Sequence, residues 1–267
     1  MSGRVVRDMP EAEYHAHPAL SQSGCKDLLK SPAEFRYRRD SPLHSDAFDE
    51  GTAAHKLVLG VGPELVRLDF TDWRTKAAQE ARAEVRAAGG VALLPETFDR
   101  VRAMADRLSE HTLAMRLLSH GDPEVSLFAE FGGVEVRGRL DWLGPRIATD
   151  YKTTRESAPT AFSRTAANFG YHVQAAFYLD LLEAVGEPRE AFAFIVQTKQ
   201  PPYGVFVTDL APEDIDLGRR RYQAAVERYR DCVAADVWPD AVPDDAFITT
   251  RLPGWVHRDH ELEEQYA

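Results

Sequence analysis

The feature that most constrains the fold is a run of three short segments in the second half of the chain. Polar and apolar residues alternate in the first two segments, which is typical of strands with one buried face, and the third follows directly after a tight turn. Gly132-Gly133 and Gly144-Pro145 separate the segments, and both pairs favour tight turns. We therefore predict an antiparallel meander with strands over Glu124–Phe131, Val134–Leu143 and Arg146–Lys152.

Helical patterns lie on both sides of this meander. The first, Leu20–Arg39, has a candidate N-cap at Ser21 or Ser23 and a break at Ser31-Pro32. The other predicted elements are helices over Asp49–Leu59, Asp72–Ala88, Pro95–Ser119, Pro159–Asn168, Tyr171–Ala184 and Ala211–Ala235, and strands over Ala191–Thr198 and Tyr203–Thr208.

This order of elements predicts an α/β fold in which helices flank a mixed central β-sheet and an N-terminal helical layer is added. We expect one domain over residues 1–267. Within it we distinguish a mainly helical N-terminal part (1–120), a core (121–235) and a C-terminal segment (236–267).

Composition argues against several classes of protein. Hydrophobic residues make up 44% of the 267 positions, which is enough to bury a core. The chain has no run of about 18 apolar residues, and Met1–Pro10 lacks the apolar stretch of a signal peptide. We therefore expect a cytoplasmic protein with no membrane partner. Cys25 and Cys232 are too few for a four-cysteine zinc or iron–sulfur site.

The net charge of −11 is unfavourable for binding DNA phosphates, but the charge is unevenly distributed. From Glu135 to His172, six Lys and Arg residues stand against four acids, a net charge of +2. From Asp236 to the end, eight acids stand against two arginines. The acidity is therefore partly a property of the C-terminal segment, and a locally basic cleft is compatible with it.

Asp141, Asp150 and Lys152 form the candidate catalytic cluster. A short turn between neighbouring antiparallel strands can bring Asp141 and Asp150 to one edge of the sheet. Lys152 is two residues from Asp150 and shares its strand face. Two carboxylates can hold Mg²⁺, and an ammonium can orient water or neutralise charge during phosphodiester hydrolysis. On spacing alone, a surface ion pair is the commoner explanation of a D-x-K pattern.

Further motifs occur in order around this cluster. They are Leu20-Ser21-Gln22-Ser23 with Leu28-Leu29-Lys30-Ser31-Pro32, Gly51-Thr52-Ala53-Ala54-His55, Gly138-Arg139-Leu140-Asp141, Asp150-Tyr151-Lys152, Gln174-Ala175-Ala176-Phe177-Tyr178 and Leu252-Pro253-Gly254-Trp255. Together they resemble the RecB/RecE group of the PD-(D/E)XK nuclease superfamily, in particular the RecE-like (exodeoxyribonuclease VIII-type) exonucleases of phages and prophages. The resemblance spans roughly residues 14–255 and implies a restriction-endonuclease-like core.

The resemblance also implies a role for individual residues. Lys152 would position or activate the attacking water, and Glu130 would be an acid of the first strand that belongs to the site. The implied metal ligands are His55, Asp141, Asp150 and the carbonyl of Tyr151; Gln174 and Tyr178 would contact the metal-site shell or the DNA backbone, and Arg139 the DNA. The sequence departs from the commoner superfamily pattern in having Asp rather than Glu at position 150.

The activity implied is that of a metal-dependent exonuclease that digests double-stranded DNA from its ends in phage-type recombination. The implied cofactor is Mg²⁺, with Mn²⁺ as an alternative. The implied partners are double-stranded DNA, a single-strand annealing protein and further copies of the chain, in the cytoplasm of a bacterial host. Three alternatives stay open: an endonuclease on the same core, a non-catalytic module that binds DNA ends or a recombinase, and an α/β protein of unrelated function in which the D-x-K pattern is accidental.

Overall fold

The computed structural model describes residues 3–40, 46–155, 158–252 and 254. The strands in this part of the chain are β1 (Arg4–Val6), β2 (Leu20–Ser21), β3 (Leu65–Arg67), β4 (Val91–Leu93), β5 (Asp122–Phe131), β6 (Val134–Leu143), β7 (Ile147–Thr154), β8 (Ala191–Thr198) and β9 (Val205–Thr208). The helices are α1 (Glu11–Ala16), α2 (Gln22–Lys30), α3 (Pro32–Asp40), α4 (Asp46–Leu59), α5 (Lys76–Ala87), α6 (Pro95–Ser109), α7 (Thr112–Leu117), α8 (Pro159–Phe169), α9 (Tyr171–Ala184) and α10 (Pro212–Ala235).

The main sheet is mixed, as the sequence predicts. Its order is β1-β5-β6-β7-β8-β9, and the short β2 runs parallel to β6. The pairs β5–β6 and β6–β7 are antiparallel, which confirms the predicted meander. β7 and β8 are parallel, and α8 and α9 form the crossover between them. A separate two-stranded sheet pairs β3 with β4.

Helices cover both faces of the main sheet. On one face, α9 packs with α2 and α10, and their core includes Phe194 and Val196 of β8. On the other face, α4, α6 and α7 pack with β4 against Tyr151 and Ile195. Because neighbouring residues of a strand point to opposite faces, this alternation also places Asp150 on the α9 side of β7.

The N-terminal region agrees with the prediction in part. The predicted break at Ser31-Pro32 is confirmed, since α2 and α3 are separated at Ser31, and the Oγ of Ser21 accepts the capping bond from the Gly24 N–H. The helix predicted over Pro95–Ser119 is likewise divided into α6 and α7. Short elements with too few residues to show a periodicity were not predicted: α1, β1, β2, β3 and β4.

Two further sequence expectations concern the closing motif and the absence of a membrane span. Pro253 and Trp255 of the closing motif lie outside the described residues. In the part of the chain that is described, none of the helices combines the length and apolar composition that crossing a membrane would require.

Candidate functional site

The candidate site lies where β6 and β7 separate. Within the described residues these strands pair at Leu143–Ala148 and Trp142–Thr149, and the next positions in that register are Asp141 and Asp150. Beyond this point β7 continues along β8, whereas β6 continues along β5. The backbone N–H of Tyr151 donates across the gap to Oδ2 of Asp141 at 2.8 Å. The fork between the two strands therefore holds both predicted aspartates.

His55 and Glu124 join Asp141 in a group of possible metal ligands. Nδ1 of His55, on α4, lies 3.4 Å from Oδ2 of Asp141. Glu124 lies on β5 between the residues that pair with Trp142 and Leu140, and its φ of 52° is a left-handed conformation that is uncommon in a strand. One ligand atom from each of the three residues lies within 4.8 Å of the other two. The structure thus gathers one imidazole and two carboxylates.

Glu130, the acid expected at the site, is not brought to this group. It is exposed near the far end of β5, directly opposite Glu135 beside the hairpin turn. It lies six positions along the chain from Glu124, which is about 20 Å in an extended strand. Glu124 therefore takes the place that the sequence assigned to Glu130. Strand alternation in the sequence could not single out Glu124, because its left-handed backbone interrupts that alternation.

Asp150 is buried beside this group and has two polar partners. Nε2 of Gln174, on α9, donates to Oδ1 of Asp150 at 2.6 Å, and Nζ of Lys152 lies 2.6 Å from Oδ2. The ammonium of Lys152 also lies 4.9 Å from the centre of the Tyr171 ring. Asp150, Lys152 and Gln174 are therefore brought together as predicted. Direct metal binding by Asp150 stays a prediction. It requires the Lys152 ammonium to move away from Oδ2 of Asp150.

The carbonyl of Tyr151 is the fourth predicted ligand. The N–H and C=O of a strand residue point to the same edge of the strand. Because the Tyr151 N–H points across the gap to Asp141, its carbonyl faces the same gap. The tyrosine side chain points away into the core, where its hydroxyl donates to Oε1 of Gln197 at 2.6 Å.

The two carboxylates of the group carry raised pKa values. Burial raises the pKa of Glu124 to about 7, and the charge of Asp141 adds to the effect. Burial and the nearby Asp150 raise the pKa of Asp141 to about 6. A divalent cation would relieve this desolvation and repulsion, and carboxylates with one imidazole are ligands that such cations accept. The residues present therefore fit a divalent metal.

For Lys152, the neighbouring charges favour the charged form of the side chain. Burial alone would favour its neutral form, but Asp150 and Asp141 outweigh burial and raise the pKa of Lys152 above its ordinary value. The side chain is thus a cation throughout the neutral range. It suits charge neutralisation and the orientation of water rather than proton abstraction.

Of the two further residues predicted to contact DNA, Arg139 lies beside the ligand group and Tyr178 lies in the core. The guanidinium of Arg139 is almost wholly buried, with Nε donating to the Ser126 hydroxyl at 3.0 Å and Nη1 lying 3.8 Å from Glu124. Tyr178 lies in the core against Gly138, where a Cβ atom would come within 2.5 Å of its ring. Tyr178 is therefore internal, which corrects its assignment from the motif. Arg139 contacts Glu124 and lines the cavity beside the ligand group, and its contact with DNA stays a prediction.

An N-terminal clamp, formed by Met9 and Tyr14, holds this arginine and was not predicted. The Met9 carbonyl accepts a bond from Nη2 of Arg139. The Tyr14 ring, on α1, lies 4.5 Å from the guanidinium carbons of both Arg137 and Arg139. Cation–π contacts follow no fixed spacing along the sequence, so these two could not be predicted from it.

A cavity of about 600 Å³ opens on one side of the ligand group. Its walls come from the N-terminal segment, α4 and the β5–β6 pair. The lining residues that bear on the site are Asp8, His15, Thr52, His55, Glu124 and Arg139. The ligand group is therefore accessible to small solutes from this side.

Residues 21–244 match the family described as "PDDEXK-like domain of unknown function (DUF3799)". The chain belongs to this PDDEXK-like family. The match covers the meander, the fork with its ligand group, and α9. Membership in a PD-(D/E)XK family is thus shown, and members of that superfamily use divalent metals. No curated protein matches the chain.

A solved structure has the same fold as this PDDEXK-like chain. The crystal structure of the Eubacterium rectale protein named "Putative exonuclease" matches with a TM-score of 0.62 at 14% identity, covering 93% of this chain and 97% of that one. A second structure, named SSO0001, covers 76% of this chain and 85% of its own with a TM-score of 0.29 at 14% identity, too low to support an argument.

Proposed function

We propose that this PDDEXK-like chain is a metal-dependent deoxyribonuclease that hydrolyses phosphodiester bonds of double-stranded DNA from ends. The observation that carries the proposal is the fork between β6 and β7. It holds the three-residue ligand group on one side and the Asp150–Lys152 pair on the other, with the Tyr151 N–H joining the two sides. Several carboxylates and a cation in one cleft suit metal-assisted phosphoryl transfer.

Each residue has a part in the proposed hydrolysis. His55, Glu124 and Asp141 hold a divalent cation, and Asp150 and the Tyr151 carbonyl are its further candidate ligands. Bound there, the cation supplies Lewis-acid activation of the phosphate and a lower pKa for water. Lys152 orients the attacking water and neutralises the charge that develops on the phosphate.

Other residues support this arrangement without reaching the reacting atoms. Gln174 fixes the orientation of Asp150, and through it the position of Lys152. Arg139 orients Glu124 in the same way, because its Nη1 lies 3.8 Å from the Glu124 carboxylate. In this proposal both act as positioning residues. Water attacks phosphorus, the bond to the leaving oxygen breaks, and a phosphate monoester and an alcohol remain.

Two considerations support DNA ends as the substrate. The RecE-like motifs occur in order along the chain, and the E. rectale protein of the same fold bears the name of an exonuclease. By the same resemblance, the proposal includes a role in recombination, with Mg²⁺ or Mn²⁺ as the metal. It also includes a strand-annealing partner, a homo-oligomeric assembly and a location in the bacterial cytoplasm.

Digestion of linear and closed-circular duplex DNA by the purified protein tests this function. We expect Mg²⁺-dependent loss of linear DNA only, suppressed by EDTA and reduced roughly 100-fold or more by Lys152→Ala. Lys76→Ala, an exposed lysine on α5, is the matched control and should behave like the wild type. Cutting of the circle would instead indicate an endonuclease. Binding without cleavage in Mg²⁺ and Mn²⁺ would indicate a non-catalytic module.

A further inference from the structure

A column of stacked aromatic rings runs from the core to the surface beside Lys152. Its inner ring is Phe194 of β8, which is fully buried. Tyr171, at the start of α9, stacks on Phe194 with centroids 5.4 Å apart and planes 26° apart. Phe169, the last residue of α8, stacks on Tyr171 with centroids 6.0 Å apart and planes 19° apart. Both separations are in the range of offset aromatic stacking.

The outer ring of this column is open to solvent. Phe169 is 62% exposed, although its neighbours in the column are buried or half-buried. A single exposed apolar residue is ordinary on a protein surface. Phe169 differs in that its ring lies nearly parallel to that of Tyr171 while most of the residue stays exposed.

The position of Phe169 is fixed by its backbone as well as by stacking. The Phe169 carbonyl accepts a hydrogen bond from Nζ of Lys26, on α2, at 3.0 Å. The next residue, Gly170, has a left-handed φ of 65° and ends α8 while α9 begins. A Cβ atom at Gly170 would lie 2.8 Å from the Lys26 side chain. The turn that presents the ring is therefore tightly packed.

The column is also joined to the proposed catalytic machinery. The middle ring, Tyr171, is the one on which the Lys152 ammonium rests at 4.9 Å. The Phe169 ring is thus one aromatic ring away from the cation that would act on the scissile phosphate. Lys26 lies at the same turn through its bond to the Phe169 carbonyl; burial and the charge of Lys152 lower its pKa to about 8, which leaves it mostly cationic at neutral pH. A flat group beside a phosphodiester, flanked by cations, is the chemistry of a nucleotide.

We infer that Phe169 is a substrate-positioning residue that stacks on an unpaired base of the DNA strand held in the fork. A base inside a duplex is covered on both faces by its neighbours, so the free ring selects a terminal or unpaired base. The substrate class is therefore a strand end whose last bases are separated from the complementary strand. This inference rests on the proposed nuclease function and names the state of the DNA at that same site.

Abasic substitutions test the inference. A set of linear duplexes with non-complementary terminal bases carries one abasic nucleotide at successive positions of the unpaired end, and KM and kcat are measured in Mg²⁺ for the wild type and for Phe169→Ala. For the wild type, we expect KM to rise roughly five- to hundredfold when the abasic nucleotide occupies one particular position. Phe169→Ala should raise KM for the intact strand by a similar factor and remove that dependence on position. Phe169→Trp should retain it.

Phe247→Ala, at another exposed phenylalanine, is the matched control and should keep the wild-type pattern. An equal positional penalty in the wild type and Phe169→Ala, or none in either, would overturn the stacking inference while leaving the nuclease intact. Cleavage of fully paired linear duplex DNA without cleavage of the substrates with unpaired ends would also overturn the inference. A wild-type protein that cleaves neither would instead contradict the proposed function itself. Loss of kcat with unchanged KM in Phe169→Ala would also overturn the inference, because it would show a merely structural disturbance of Tyr171 and Lys152.

Discussion

The carboxylate of Asp141 and the backbone N–H of Tyr151 are joined across the β6–β7 fork by a hydrogen bond of 2.8 Å. Asp141 belongs to the ligand group on one side of the fork, and Tyr151 lies between Asp150 and Lys152 on the other. This bond fixes the distance between the proposed metal position and the proposed catalytic lysine. Changes on either side of the fork should therefore affect both.

Gln174→Leu tests the support of Asp150. The substitution removes the amide that donates to Oδ1 and leaves this buried oxygen without its partner. We expect kcat to fall roughly 10- to 100-fold, as for other residues that orient a ligand, and the free energy of unfolding to fall by about 1–3 kcal/mol. Steady-state kinetics and chemical denaturation measure the two effects. Gln79→Leu, at an exposed glutamine on α5, is the control and should change neither substantially.

Metal binding should weaken as the pH falls through about 7. The raised pKa values of Glu124 (about 7) and Asp141 (about 6) mean that the metal-free folded protein holds protons that a cation must displace. Mn²⁺ affinity should therefore be at least about tenfold lower at pH 5.5 than at pH 7.5, since each unit below a ligand's pKa costs about tenfold. Calorimetric titration at the two pH values measures this difference. Equal affinities would contradict the assignment of these two ligands.

In the metal-free protein, the raised pKa values make the free energy of unfolding fall, rather than the metal affinity rise, as the pH increases. A carboxyl whose pKa is raised on folding stabilises the folded state at pH values below its ordinary value of 4.5 for Glu124. That contribution is lost as the pH rises towards 7. Thermal unfolding in EDTA should therefore show a smaller stabilising contribution from Glu124 at pH 8 than at pH 5, and Glu124→Gln should reduce this dependence.

Gly138→Ala tests the packing beneath the fork. A Cβ atom at position 138 would lie 2.5 Å from Cε1 of Tyr178 and 2.8 Å from Cδ2 of Leu181, both in a rigid core. We expect a loss of about 1–3 kcal/mol in the free energy of unfolding. Gly204→Ala is the control, because there the described residues offer a contact only at 4.0 Å, with the Thr198 hydroxyl. Similar stabilities for both variants would show that β6 and α9 pack less closely than described.

The sequence predicted the parts of the molecule that repeat a local pattern. The meander, α9 and the mixed sheet follow from alternation, turn residues and the order of elements. The spacing of two residues places Asp150 and Lys152 on one strand face, whereas Gln174 was a candidate only through the family resemblance. Contacts without a spacing rule were not predictable. Glu124 enters the site through one left-handed residue in a strand, and Arg139 is buried by a clamp from the N-terminal segment.

The most direct test of the account compares Glu124→Gln with Glu130→Gln, two changes of the same kind on one strand. Mn²⁺ binding by calorimetry is measured on each variant, with DNA cleavage and thermal unfolding in EDTA alongside. The account predicts that Glu124→Gln weakens Mn²⁺ binding by tenfold or more and reduces cleavage in parallel, without loss of stability, while Glu130→Gln resembles the wild type. Full metal binding by Glu124→Gln, or its loss in Glu130→Gln, would contradict the ligand group on which the proposed function depends.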